Sequence, residues 1–287
     1  MKEHSVFLKR ILVISIALVS ITLVIGLKSK VINEVSNELE QALLRVDAKE
    51  YALTCLAGNL QVASLDGKTV MDSMKVIMNN EKIVSYCISD LNNDSTDEIL
   101  MIIGCNTSEF GRDFVVYSYD NGLHKVYDKS FEGMNPWKVQ TSDVDGDGQL
   151  EISIAMYKKT KFHPIMAKRP FIYDWNDTSI FPKWRGSRLS KPFDDYIFQD
   201  IDQDGSDELL AIELLSNGNK VISAYSWKGF GFEVLIESNE YEDIFTIKKS
   251  AHFPDQINVY LQESSKSKWL ALKYDATGFL EQAIVEQ

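Results

Sequence analysis

Cysteine is scarce in this chain of 287 residues, with Cys55, Cys87 and Cys105 the only three. No C-x-x-C pair occurs, which excludes the common zinc and dithiol signatures. A Cys87–Cys105 bridge is one option that the spacing leaves open. Histidine is also rare. His4, His124, His163 and His252 are isolated, and none belongs to a metal-ligand or nucleophile motif. No glycine-rich phosphate loop is present. Positive charge is in deficit, with 30 basic against 42 acidic residues and a net charge of −12. A nucleic-acid binder needs a basic face to neutralise phosphates, so no nucleic-acid partner is expected. The hydrophobic share of 45% excludes wholesale disorder and supports a sizeable core.

The one long apolar run is "ILVISIALVSITLVIGL", Ile11 to Leu27, with no charge in it. It reaches roughly 25 Å as a helix, which is enough to cross a bilayer at the short end of the range. Lys2, Lys9 and Arg10 precede it, and Lys28 and Lys30 follow. The sequence "KSKVINE" after it offers no small-residue cleavage site. The reading is an uncleaved signal-anchor over 11–27 with a short cytoplasmic tail, 1–10. The membrane is thus the first partner, and the C-terminal domain is extracytoplasmic. Next, Ile32, Val35, Leu39, Leu43 and Val46 recur at intervals of three and four. This spacing predicts an amphipathic helix over Val31–Glu50, within a helical stalk and linker region spanning 28–80. Residues 51–80 fit a hairpin or helix pieces equally well.

From about Lys82 short β-rich runs alternate with turn residues, and an internal repeat emerges. Three acidic stretches share one frame: "DLNNDSTDE" from Asp90, "DVDGDGQLE" from Asp143 and "DIDQDGSDE" from Asp200. Each follows an extended run and precedes an apolar one: "EILMIIG", "EISIAMY" and "ELLAIEL". Two more β-rich runs close each unit, and the C-terminal part repeats the frame without the acids. The expected fold is mainly β: a β-propeller-like array of about four four-stranded blades over 82–287, preceded by the transmembrane helix and the amphipathic helix.

Carboxylates packed this closely repel unless a cation neutralises them. Positions 1, 3, 5 and 9 are Asp90, Asn92, Asp94 and Glu98 in the first loop. They are Asp143, Asp145, Asp147 and Glu151 in the second, and Asp200, Asp202, Asp204 and Glu208 in the third. Position 7 (Thr96, Gln149, Ser206) can offer a backbone carbonyl. Ca2+ takes six to eight oxygens, and alternating side chains on a tight loop supply them. The EF-hand is excluded, because position 12 is Met101, Ile154 or Ala211 where that motif needs a bidentate Glu.

These loops resemble those of the FG-GAP/VCBS repeat family, the β-propeller repeats also found in integrin α-subunit heads, with the pattern D-x-[DN]-x-D-G-x-x-[DE]. The resemblance covers roughly residues 82–287. It implies extracytoplasmic, calcium-stabilised blades, often in adhesion or glycan-binding proteins. The Phe-Gly and Gly-Ala-Pro signatures are not in their usual places, and about four units stand where family propellers commonly have seven, which leaves three options: a small ring, an open one, or one that recruits residues 51–80 as part of a further blade.

One segment opposes the overall charge. Tyr157 to Lys191 holds nine basic residues against two acids. Lys158, Lys159, Lys161, Lys168, Arg169, Arg185 and Arg188, with Trp184 among them, form a candidate site for an anionic glycan or an acidic protein partner. The functional expectation is a membrane-anchored extracytoplasmic binding module on calcium-stabilised blades. The alternatives are a carbohydrate-active enzyme and a structural subunit of a cell-envelope assembly.

Overall fold

The computed structural model describes residues 39–186 and 188–283, and none of these residues is helical. They form five four-stranded sheets, each an antiparallel meander in which sequence neighbours pair. Sheet 1 contains β1 (Leu39–Val46), β2 (Lys49–Leu56), β3 (Asn59–Ala63) and β4 (Val70–Lys75). Sheet 2 contains β5 (Glu81–Ser89), β6 (Glu98–Cys105), β7 (Asp113–Tyr119) and β8 (Leu123–Ser130). Sheet 3 contains β9 (Pro136–Ser142), β10 (Glu151–Thr160), β11 (His163–Trp175) and β12 (Ile180–Trp184). Sheet 4 contains β13 (Phe193–Gln199), β14 (Glu208–Leu214), β15 (Lys220–Trp227) and β16 (Phe232–Glu237). Sheet 5 contains β17 (Asp243–Lys249), β18 (Gln256–Glu263), β19 (Lys266–Asp275) and β20 (Gly278–Ala283).

The second strands of sheets 2 and 4 are buried along almost their whole length and β10 of sheet 3 from Glu151 to Met156, as expected for strands covered on both faces. Four apolar clusters join the sheets in order. Leu44, Leu53 and Leu60 meet Ile99 and Met101 between sheets 1 and 2. Leu100 and Phe114 meet Ile152 and Phe171 between sheets 2 and 3. Ala155 and Ile172 meet Tyr196 and Phe198 between sheets 3 and 4. Leu210 and Ile222 meet Ile257 and Val259 between sheets 4 and 5. Among the described residues no such cluster joins sheet 5 to sheet 1. Accordingly β18 alternates, with Ile257, Val259 and Leu261 buried and Asn258, Tyr260 and Gln262 only half-buried. Side-chain hydrogen bonds tie the first strands of sheets 2, 3 and 4 to one another and the first strand of sheet 4 to the second strand of sheet 5. Ser85 Oγ accepts from Val139 N at 3.1 Å, Gln140 Nε2 donates to Tyr196 O at 3.2 Å, and Gln199 Nε2 donates to Gln256 O at 2.8 Å.

The helix expected over Val31–Glu50 is, in its described part, the β1–β2 hairpin. The region expected as helical stalk and linker is, from Leu39 onward, a full sheet, so the units number five rather than four. The physical reason lies in the turns. Asp47 and Ala48 both take positive φ (48° and 61°), as do Ala57 and Gly58 (49° and 79°). Two successive left-handed residues make the tight turn that matches strand twist. With the hairpin set, Ala42, Leu44 and Val46 face the core and Leu43 faces solvent. The same apolar residues satisfy both periods, and tertiary packing selects the strand.

Cys87 and Cys105 are not joined. The β5–β6 register places Cys87 opposite Leu100 and Cys105 opposite Glu81, too far apart along the pair to bond. The apolar run Ile11–Leu27, the tail before it and the start of the amphipathic stretch lie outside the described residues.

Candidate metal centres and the adjoining basic pocket

Each acidic loop connects the first strand of its sheet to the second: β5–β6, β9–β10 and β13–β14. The three loops share one internal geometry. The first carboxylate accepts from the backbone of positions 5 and 6. Asp90 takes Asp94 N (3.1 Å) and Ser95 N (2.9 Å), and Asp200 takes Asp204 N and Gly205 N (both 3.1 Å). Asp143 takes Gly146 N (2.7 Å), Asp147 N (3.2 Å) and Gly148 N (2.8 Å). The carboxylate at position 5 caps position 7 at 2.8 Å in all three: Asp94 to Thr96 N, Asp147 to Gln149 N and Asp204 to Ser206 N. Position 6 is left-handed throughout, at φ 84° for Gly148, 94° for Gly205 and 72° for Ser95. Ser95 therefore bears the strain that glycine relieves in the other two.

The closing glutamates turn inward. Glu98, Glu151 and Glu208 are almost fully buried, and each accepts from the backbone N–H at position 2: Leu91 (3.0 Å), Val144 (2.9 Å) and Ile201 (3.1 Å). Leu91, Val144 and Ile201 are themselves buried. These anchors escaped the sequence reading, although an apolar residue directly after each first Asp was the visible signal. Desolvation pushes Glu98 up to about 7 and Glu208 up to about 8, with the neighbouring aspartates adding to it. Among the described residues, no cation answers Glu208.

Two triads bring their carboxylate oxygens within 4.8 Å of one another: Asp143, Asp145 and Glu151, and Asp200, Asp202 and Glu208. They fit a hard divalent cation, with oxygen donors, negative charge and a buried closing ligand. Asp147 and Asp204 lie outside the triads, engaged as backbone caps. The first loop assembles no carboxylate triad. Asn92 replaces an acid there, its Nδ2 donating to Asp94 Oδ2 at 3.1 Å. Its cavity of about 380 Å³ instead gathers Asp94 and Glu98 with Asp120, His124 and Trp175.

The second loop differs from the third in holding a protein cation. Lys183 Nζ lies 2.6 Å from Asp145 Oδ2 and 3.3 Å from Asp174 Oδ1, and it also pairs with Glu151 Oε1. Burial pulls this ammonium down, and the hydrogen bonds to Asp145 and Glu151 more than reverse it, so its pKa is raised. Glu151 is raised by burial, with Lys183 opposing the shift.

The loops also link to one another. Asn93 Nδ2 donates to Gly148 O (2.8 Å) and Asp207 N donates to Asp143 O (2.7 Å), joining the first loop to the second and the second to the third. Asp97 turns away and accepts from Arg45 N of sheet 1 at 2.8 Å.

Of the basic residues singled out in the sequence, Lys158, Lys159, Lys161, Trp184 and Arg185 come together. With Lys183, Met134 and Phe171 they line one open pocket of about 780 Å³. Trp184 stands edge-on to Phe232 at 5.2 Å. Gly186 lets the chain pass it, since a Cβ there would fall 1.9 Å from Trp184 Cζ2. The other three lie apart. Lys168 Nζ donates to Asp194 O and sits 4.4 Å from the centroid of the Trp137 ring. Arg169 is fully buried and donates to the carbonyls of Lys158, His163 and Ile165, beside the β10–β11 turn. Arg188 is exposed, away from the pocket lining.

Compared with known proteins, the chain matches no protein-family model, and no curated protein sequence matches it.

Proposed function

We propose that this protein is a calcium-stabilised, propeller-like binding module that takes an anionic ligand at the basic pocket of sheet 3. The observation that carries the metal reading is the convergence of three carboxylates on one point in each of two loops, with the closing glutamate buried. Burying acids at such close range is costly unless a cation joins them, so metal binding becomes folding free energy. The resemblance of the three loops to FG-GAP/VCBS repeats supports the same reading, as do the five meanders. The anchor segment Ile11–Leu27 supports membrane attachment with the sheets outside the cell, where millimolar calcium suits sites of moderate affinity.

The ligand reading rests on the pocket. Five cationic residues and Trp184 on one concave surface of an acidic protein attract a polyanion and offer an apolar ring to a sugar. The test is retention on a sulfated polysaccharide matrix. The double variant Lys158→Glu, Lys159→Glu loses retention at unchanged Tm; retention equal to that of the wild type removes the pocket from the proposal.

A further inference from the structure

We infer that Lys183 is a tethered occupant of the second acidic loop which a divalent cation has to displace, making this loop the weaker, exchangeable site and the third loop the tighter one. The inference rests on the calcium reading above and concerns how that site is regulated.

Three independent observations carry it. First, the ammonium sits where a bound cation would sit. It contacts Asp145 at 2.6 Å and Glu151, two of the three residues whose oxygens converge, and Asp174 besides. A lysine and a metal ion cannot share that point, because two cations at contact distance repel strongly in a partly buried site.

Second, the placement follows from a feature repeated across the fold. The last strand of each of the first four sheets carries a β-bulge against the third. In sheet 3, Ile172 pairs with Trp184 and Tyr173 with Pro182, which leaves Lys183 as the extra residue. The corresponding extra residue is Val126 in sheet 2 and Leu235 in sheet 4. Bulges re-aim a side chain, and Val126 accordingly lines the cavity of the first loop beside Glu98. Only sheet 3 places a cation at this position, so the third loop, with Leu235, has no built-in competitor among the described residues.

Third, there is somewhere for the displaced group to go. The Lys183 side chain also lines the basic pocket. Rotation of a flexible four-carbon stem moves Nζ from the carboxylates into that open volume without rearranging the backbone. The displaced ammonium then adds to the charge of Lys158, Lys159, Lys161 and Arg185. Uptake of metal at the loop and of an anion at the pocket thereby favour each other, and linkage makes that coupling reciprocal.

The test is calorimetric titration of the full chain with calcium, comparing wild type, Lys183→Leu and the double variant Lys183→Leu, Asp145→Asn, together with their Tm values in chelator. Leucine is the residue that sheet 4 uses at this position. In Lys183→Leu one site is expected to tighten about tenfold or more, the gain disappearing in the double variant. Its Tm in chelator is expected to fall, because the carboxylates lose their counter-ion. Equal site affinities in wild type and Lys183→Leu, with calcium bound by both, overturn the exchange and leave the calcium reading intact. Absence of calcium binding in every protein overturns the calcium reading and takes this inference with it.

Discussion

Lys183 Nζ lies 2.6 Å from Asp145 Oδ2, so a strand residue 38 positions further along the chain supplies charge compensation to an acidic loop. The third loop has the same carboxylates and, among the described residues, no such partner, and its glutamate is the one pushed up to about 8. The difference between the two loops organises the behaviour expected of the molecule.

Calcium should raise Tm and chelator should lower it. A site held at 100 times its Kd adds about 2.7 kcal/mol of stability. In a domain of this size each kcal/mol moves Tm by about 2–4 °C. Two sites therefore shift Tm by roughly 10 °C or more in differential scanning fluorimetry, and no shift would sink the metal reading.

The metal-free protein should weaken as pH rises. Glu98 and Glu208 stand at about 7 and about 8 in the folded chain, above their ordinary value of 4.5. A carboxyl with a raised folded pKa binds more protons folded than unfolded. Its contribution is complete below about pH 4.5 and is lost as pH climbs through 7 to 8, each tenfold difference in proton affinity between the folded and unfolded chain being worth about 1.4 kcal/mol. Tm measured in chelator should fall between pH 4.5 and 8, and saturating calcium should flatten that slope.

Sheet 1 belongs to the common core. Leu44 is fully buried while Leu43, its neighbour, is 42% exposed. Leu44→Ala should cost about 2–5 kcal/mol, and Leu43→Ala well under that. Comparable losses from urea unfolding at both positions would contradict the strand.

Glu213 of β14 is fully buried and accepts from Ser223 Oγ (2.7 Å), Tyr225 Oη (2.5 Å) and Lys191 Nζ (3.2 Å). Glu213→Ala leaves all three without this partner, and the expected loss is about 3–5 kcal/mol. A loss below about 1 kcal/mol in denaturant titration, the size of one ordinary hydrogen bond, would show that water replaces the carboxylate.

Pocket residues and structural lysines should separate cleanly. Lys158→Ala should weaken polyanion retention at unchanged Tm. Lys168→Ala should lower Tm, because this side chain bridges Trp137 and Asp194 O. The reverse pattern would relocate the ligand surface.

The acidic loops were legible in the sequence because their geometry is local. Asp at position 1 bonds to backbone within five residues, the left-handed turn falls at position 6, and an apolar strand follows in all three. The four C-terminal sheets were legible for a similar reason, since their strands alternate with strong turn residues at a steady period. Sheet 1 was not. Its turns, Asp47-Ala48 and Ala57-Gly58, lack the usual Asn-Gly mark, and its apolar residues fit a helical stripe equally well.

By itself the sequence determined where carboxylates cluster, because a nine-residue loop closes on itself through its own backbone. Tertiary structure alone decided which loop carries its own cation. Lys183 reaches Asp145 through a bulge in the fourth strand, set by how β12 registers on β11. That register depends on packing across the whole sheet, and no local pattern encodes it. The basic residues divide on the same ground: nine lie between Tyr157 and Lys191, and strand register sends some to the pocket, buries Arg169 and binds Lys168 into the fold.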